Sequence, residues 1–172
     1  FSDFKIVNHI IKSHKGKFKN FDDFTSYFKV KDLFDRFHEY ASNPKSYCLK
    51  KKFFKNALIL DAGCGNTGYF PKAMIDLGAK HIYCLDLGKK WITQLKKDLK
   101  TKKVSLSKIT FISGSVTKIP LENSKFDFVA CNGVIHHLPN VNLATKALKE
   151  LFRVTKPGGS IFVCFGIEQP GI

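Results

Sequence analysis

Three closely spaced glycines follow a short apolar run, a pattern typical of a loop that binds a nucleotide-like ligand. Residues 60–68 read Leu-Asp-Ala-Gly-Cys-Gly-Asn-Thr-Gly, which gives the spacing GxGxxG. Glycine permits a tight turn and lets a ligand approach the backbone closely. The apolar residues predict a buried strand over 57–61, and Tyr69–Leu77 has helical spacing. A strand, loop and helix in this order predict a binding site, although nicotinamide- and flavin-dependent enzymes share the glycine spacing.

Asp61 lies two positions before the first glycine, and its carboxylate indicates the charge of that ligand. A buried carboxylate there is a poor neighbour for a pyrophosphate, which binds best to amide donors and positive potential. It suits a cationic ligand, such as one carrying the ammonium and sulfonium groups of S-adenosylmethionine.

Asp86 ends the next predicted strand, 25 residues after Asp61. A carboxylate at the carboxyl end of that strand can accept hydrogen bonds from both hydroxyls of a ribose. The alternative interpretation makes Asp86 the N-cap of the helix predicted over 89–100. The adjacent glycine loop favours the ribose interpretation.

Strands and helices alternate from residue 57 onward, and this order predicts the frame that holds these residues. After the first strand we predict strands at 81–85, 108–113, 126–131 and 160–165, and helices at 69–77, at 89–100 and from Asn140 to before Lys156. Such alternation predicts an α/β fold, a Rossmann-like parallel sheet with helices on both faces. We therefore assign residues 56–172 to a Rossmann-like core.

Residues 1–55 differ in composition from the rest of the chain. They are rich in Phe and Lys, and their apolar residues have helical spacing. They predict two or three amphipathic helices that form an N-terminal extension, and Lys50–Lys52 leads into the first strand. Two placements stay open: the helices cap the active site, or they only cover one face of the sheet.

The composition limits the alternatives. The net charge is +15, but among the 29 basic residues only Arg36 and Arg153 are Arg, the side chain best suited to reading bases and phosphates. A nucleic-acid partner is therefore possible but not favoured, and a lysine stripe after Asp86 is better explained as a solvated helix face. The five cysteines have no zinc-ligand spacing, and no apolar run approaches the roughly 20 residues of a membrane span. We expect reduced thiols in a cytoplasmic protein without a metal site.

Four segments together resemble the signature segments of class I methyltransferases, most closely the subgroup called type 11. They are LILDAGCGN, the strand ending in LDL, ISGSVTKIPLENSKFDFVACNGVIHHL and LKELFRVTKPGGSIFV. The resemblance covers roughly residues 56–166. It implies that S-adenosylmethionine is the cofactor and that a methyl group is transferred to an acceptor, which we expect to be a small molecule.

The resemblance also implies which residues contact the cofactor. The glycine loop would hold its methionine portion, the acid after the second strand its ribose, and the end of the third strand its adenine. The candidates are Asp61, Gly63, Cys64, Gly65, Asp86, Leu87, Ser115, Val116, Cys131 and Asn132. Cys131 and Asn132 would reach the methionine amino group through backbone carbonyls.

Two departures from the family pattern, at Ser115 and Gly68, qualify this assignment, and a motif of a different group of methyltransferases is missing. Ser115 stands where an acid is usual, so the adenine contact should be weaker. Gly68 is one residue later than in many members, which leaves its role open. The Asn-Pro-Pro-aromatic loop of methyltransferases that act on bases or glutamine is absent, because residues 131–134 read Cys-Asn-Gly-Val.

His136 and His137 are the candidate catalytic residues, since the resemblance places the loop after the fourth strand beside the reactive methyl group. One imidazole could act as a general base for the acceptor. In the alternative interpretation His137 packs in the loop and His136 is partly exposed, because alignment alone can carry a direct displacement at carbon.

Rival functions follow from the same residues. A nicotinamide-dependent oxidoreductase would have an apolar residue in place of Asp61. A catalytically inactive protein of the methyltransferase fold would bind RNA with a steep salt dependence.

The class I fold generally has seven strands, and only residues 166–172 follow the fifth predicted strand of a chain that starts at Phe1. We therefore expect a fragment that lacks the last strands.

Overall fold

A computed structural model describes residues 50–164 of the chain. The described helices are α1 (Lys51–Phe54), α2 (Tyr69–Asp76), α3 (Lys89–Thr101) and α4 (Val141–Val154). The strands are β1 (Leu58–Ala62), β2 (His81–Asp86), β3 (Ile109–Ser113), β4 (Phe126–Asn132) and β5 (Thr155–Cys164). Short 3-10 turns cover Leu106–Lys108 and Ile135–His137.

All five strands are parallel and form one sheet in the order β3-β2-β1-β4-β5. The chain moves outward from β1 to β3 and then returns to the other side of β1 with β4. The order reverses between β1 and β4, and in open parallel sheets ligands bind outside the carboxyl ends of the strands at such a point. The predicted α/β fold with a Rossmann-like sheet is confirmed.

The sheet has a hydrophobic core on each face, because successive side chains of a strand point to opposite sides. Ile59 belongs to the core that packs under α2 and α3, with Met74 and Leu95. Leu60 belongs to the core under α4, with Leu151. Both faces are therefore apolar, which is why the strands read as continuous apolar runs.

The segment before β1 differs from the prediction that Lys50–Lys52 leads directly into a strand. Lys51–Phe54 forms one helical turn instead. The turn buries Phe54 completely, edge-to-face against Phe128 with ring centroids 5.2 Å apart. The residues of the predicted N-terminal extension before Lys50 lie outside the described residues.

The last strand also begins earlier than predicted. Thr155 pairs with Phe126 and Ser160 with Phe128, so the residues between them form a bulge on β5. Gly158 lies in that bulge with φ +76°, a conformation that favours glycine. The residues between the predicted helix and the strand predicted at 160–165 therefore form an irregularity within β5.

Candidate active site

The glycine loop lies between β1 and α2 and is fixed by hydrogen bonds to β2. The amides of Gly63 and Cys64 both donate to the carbonyl of Leu85, at 2.7 Å and 3.0 Å. Gly63 has φ +87°, and a Cβ placed there would overlap the side chain of Val134. Gly65 has φ +61°. The turn therefore requires glycine for both its backbone conformation and its close approach to the loop after β4.

Asp61 lies under this loop and is the only charged residue among the buried polar side chains of residues 50–164. It is 5% exposed, and no group in the described part of the chain donates a hydrogen bond to its carboxyl. Burial first, and then the negative charge of Asp86, raise the pKa of Asp61 to about 8. A buried acid without a donor is the unusual feature of this site.

Asp86 connects the glycine loop to the end of β2. Its Oδ2 accepts from the Gly65 amide at 2.9 Å, and its Oδ1 accepts from the Gly88 amide at 2.9 Å. The N-cap of α3 is Gly88, so the alternative interpretation of Asp86 as that N-cap is wrong. Each carboxylate oxygen keeps further acceptor capacity, since two oxygens offer about four lone-pair positions.

The two acids lie on one face of the sheet. Asp61 is paired in register with Cys84, and Asp86 follows two residues later on the same strand. Residues two apart on a strand point to the same side. Both acids could therefore contact a single ligand.

The ends of β3 and β4 approach the same edge of the sheet. The Gly114 amide donates to the carbonyl of Asp86 at 2.9 Å, which brings the segment after β3 next to β2. In that segment Ser115 Oγ lies 2.8 Å from Thr117 Oγ1, and Val116 is buried. Leu87 is 76% exposed and forms an apolar surface beside Asp86.

Cys131 and Asn132, whose backbone carbonyls are predicted to contact the cofactor, end β4, and the histidine pair follows them in the chain. Cys131 is buried and Asn132 is exposed, and the Gly133 amide donates to the carbonyl of Cys164 at 2.8 Å. His136 and His137 are exposed residues of a 3-10 turn, with ring centroids 4.0 Å apart. Burial of the rings, and for His136 also the neighbouring imidazole, lowers the pKa of both. Both imidazoles are therefore neutral at pH 7.

Two residues beside the site were not identified from the sequence. Trp91 lies on α3, and its ring lies 3.7 Å from a Cβ placed on Gly65 and 2.8 Å from one placed on Gly88. Gly68, whose role was open, is the N-cap of α2, and a Cβ there would lie 2.7 Å from the Leu99 side chain. Its amide donates to Asp98 Oδ2 at 2.6 Å, so Gly68 lets α2 and α3 pack closely.

The thiols near Asp61 are buried and uncharged. The hydrogen bond between Cys64 and Cys84, burial and the nearby acids keep the pKa of Cys64 far above its ordinary value. Burial, with a contribution from Asp61, raises the pKa of Cys131 to about 12. In the described part of the chain no three potential metal ligands cluster, and no described helix could span a membrane.

Comparison with known proteins agrees with this architecture. Residues 60–163 match the type 11 methyltransferase family, described as a methyltransferase domain. The demethylmenaquinone methyltransferase of Leptospira interrogans is 29% identical over 140 residues, which cover 76% of this chain and 55% of that protein. The enzyme of the same name from Listeria welshimeri is 26% identical over 119 residues, or 69% and 48% of the two chains. The chain thus spans about half the length of these relatives.

Solved structures show the same fold. An S-adenosylmethionine-dependent methyltransferase from Mesorhizobium loti superposes with a TM-score of 0.54 at 22% identity, covering 64% of this chain and 47% of that one. The PH0226 protein of Pyrococcus horikoshii gives 0.57 at 27% identity, covering 63% and 49%. The family match extends over more than half of the sequence and coincides with the five-stranded sheet. The chain therefore belongs to the type 11 methyltransferase domain family, within the class I S-adenosylmethionine-dependent methyltransferases.

Proposed function

We propose that this domain binds S-adenosylmethionine at the carboxyl edge of β1 and β2 and transfers its methyl group to a small-molecule acceptor. The observation that carries the proposal is the buried Asp61 carboxyl, to which no group in the described part of the chain donates a hydrogen bond. A protein gains nothing in stability from such a group, because an acid removed from water without a partner is destabilising. Its presence under a glycine loop is explained if a ligand brings the missing positive charge.

Asp86 supports the proposal from the ribose side. It accepts hydrogen bonds from the Gly65 and Gly88 amides, and each of its oxygens keeps the capacity to accept from a further donor. Hydrogen bonds from two hydroxyls to a carboxylate are charge-assisted and contribute about 1.5–3 kcal/mol. Leu87 follows Asp86 and is exposed, so it provides apolar surface that suits the flat face of a purine, and the buried Val116 is the further adenine candidate from the segment after β3.

The bound cofactor would supply a methyl group on a positively charged sulfur, which a nucleophilic atom of the acceptor displaces. Such a displacement depends mainly on alignment of the nucleophile, the methyl carbon and the sulfur. His136 and His137 follow β4 with lowered pKa values, so that a neutral imidazole is available to accept the acceptor's proton. We propose His136 and His137 as candidates for the general base. We also propose that the backbone carbonyls of Cys131 and Asn132 position the methionine portion of the cofactor.

The names of the relatives give the first acceptor to test. The proteins from Leptospira and Listeria are both called demethylmenaquinone methyltransferase. We therefore propose a small organic acceptor and would begin with a demethylated menaquinone. Radiolabelled methyl transfer into that quinone, and then into fractionated cell extract, tests the acceptor separately from cofactor binding.

The cofactor assignment is tested by calorimetric titration of the full-length protein with S-adenosylmethionine. Asp86→Ala should weaken binding about ten- to a hundredfold, because a charged hydrogen-bonding group is lost. Asp127→Asn is the matched control, since this acid lies at the other end of β4 and binds Lys156. It should leave the dissociation constant within about threefold. Unchanged affinity in Asp86→Ala would remove the ribose assignment, and binding of NADH instead of S-adenosylmethionine would overturn the proposal.

A further inference from the structure

We propose that the Asp61 carboxyl carries a proton in the cofactor-free site and releases it to solvent when a cationic ligand binds. This inference rests on the proposed function, because it takes S-adenosylmethionine as that ligand. It adds a property that the family assignment does not contain: cofactor binding would be linked to pH through one residue. Neutral water-soluble ligands of the same shape would bind without this step.

The geometry around Asp61 explains why the proton is retained. The side chain is 5% exposed at the centre of the sheet, between β2 and β4, where Cys84 and Ala130 are its partners in register. No hydrogen-bond donor reaches the carboxyl within residues 50–164. An ionised carboxylate in this position would have neither water nor a donor to stabilise its charge.

The titratable groups around Asp61 do not supply a positive charge either. Those coupled to it electrostatically are Asp86 of β2 and the thiols of Cys64, Cys84 and Cys131, from the glycine loop, β2 and β4. Within the described residues no lysine, arginine or histidine is among them. Burial and the charge of Asp86 raise the pKa of Asp61 to about 8, so the isolated site holds a neutral acid at pH 7.

A cation placed against Asp61 reverses this balance. An opposite charge within a few ångströms favours the ionised carboxylate, so the pKa of Asp61 falls back towards its ordinary value of 3.8 and the proton leaves. One proton is then released for each cofactor bound, and the bound state has a carboxylate facing a cation. Binding must consequently strengthen as the pH rises towards the pKa of the free site.

Calorimetry with S-adenosylmethionine in two buffers of different ionisation enthalpy measures the released protons directly. We expect about 0.9 proton per cofactor at pH 7, and a dissociation constant that falls about tenfold between pH 6 and pH 7. The measurements stay below pH 7.5, because an α-amino group with a pKa of about 8 would itself titrate above that. The full-length protein is used throughout.

Asp61→Asn is the matched variant, because it keeps the size of the side chain and removes the titration. It should bind S-adenosylmethionine more weakly at pH 7, with proton release reduced to the background that all other groups contribute. If Asp61→Asn fails to fold, Asp86→Asn tests the same point: without that neighbouring charge Asp61 is more often ionised, so fewer protons are released at pH 7. Uncharged 5′-methylthioadenosine should bind either form without releasing a proton.

The outcomes separate the two proposals. If S-adenosylmethionine does not bind at any pH, the proposed function fails. If it binds with no proton released, or with equal release in Asp61→Asn, the cofactor assignment stands and the proton linkage is wrong. Release on binding of 5′-methylthioadenosine would also overturn it, because that ligand brings no charge.

Discussion

Asp61 and Glu150 are both shielded acids, but their surroundings are opposite. Glu150 accepts hydrogen bonds from Arg153 at 2.7 Å and 2.8 Å and from the Ile119 amide at 2.7 Å. The Arg153 hydrogen bonds, opposed by burial and aided by the Ile119 amide, lower the pKa of Glu150. The pKa of Asp61 is raised, because no such partner exists in the described part of the chain. One acid is satisfied by the protein, and the other is not.

The difference separates structural acids from the acid that we propose to contact the cofactor. Arg153 also donates to the carbonyls of Ile119 and Leu121, so that the Glu150–Arg153 pair holds the loop before β4 against α4. Asp127 is similar: burial alone would raise its pKa, but hydrogen bonds from Lys156 and the Leu58 amide lower it. At the carboxyl edge of β1 and β2, Asp86 accepts from loop amides, whereas no donor among residues 50–164 reaches Asp61. The same residue type thus stabilises the fold in one region and weakens it in the other.

The largest expected effect concerns the loop that covers Asp61. Gly63→Ala should lower the free energy of unfolding by about 4 kcal/mol and abolish cofactor binding, because φ +87° is strained for alanine and its Cβ overlaps Val134. Denaturant unfolding monitored by the fluorescence of Trp91, the single tryptophan, measures the loss.

A second substitution divides that effect into its two causes. Val134→Ala removes the overlap but not the backbone strain, so Gly63→Ala should be less damaging in a Val134→Ala background by about 1–2 kcal/mol. Equal losses in both backgrounds would mean that Val134 does not limit the approach to the loop.

The next effect is the response of Asp61 to pH without cofactor. The folded protein retains the Asp61 proton up to a pKa of about 8, whereas the unfolded chain loses it near the ordinary value of 3.8. The unfolded state therefore binds fewer protons between these values, and the wild-type protein loses stability as the pH rises. Asp61→Asn does not titrate, so its free energy of unfolding should rise relative to that of the wild type by about 3–4 kcal/mol between pH 5 and pH 8. Parallel pH profiles of the two proteins would contradict the unsatisfied state of this acid.

Much of this comparison could be predicted from the sequence. Asp61, the glycines after it and Asp86 all lie at the ends of strands. The sequence predicts those ends, because each apolar run is followed by glycine or a charged residue. Their common face follows from the alternation of strand side chains once the register is known. The register itself depends on the packing of whole strands, so the sequence indicated two acids at one edge but not which of them is satisfied.

The features that were not predicted depend on contacts between distant segments. The neighbours of Trp91 are the glycines of two different loops, and helical periodicity only indicates that its face is apolar. Gly68 and Leu99 are brought together by the packing of α2 on α3. The single turn of α1 forms because Phe54 is buried against Phe128. From the sequence, Lys50–Lys52 was predicted to lead into the first strand.

The smallest expected effect tests the satisfied acid. Arg153→Met should lower the free energy of unfolding by about 1–2 kcal/mol at pH 7, because the Glu150 carboxylate and the carbonyls of Ile119 and Leu121 lose a charged donor. Arg153→Lys is the matched control, since it keeps the charge but not the planar set of donors, and should recover part of the loss.

The pH dependence of Arg153→Met should have the sign opposite to that of Asp61→Asn. The stabilisation by Glu150 is present above its ordinary pKa of 4.5 and is lost as the pH falls through the lowered folded value. The wild-type advantage over Arg153→Met should therefore shrink in acid, while Asp61→Asn gains on the wild type towards higher pH. The dissociation constant for S-adenosylmethionine should stay within about threefold, because the Glu150–Arg153 pair lies outside the cofactor edge. A tenfold weakening without loss of stability would show that this acid, too, serves the ligand.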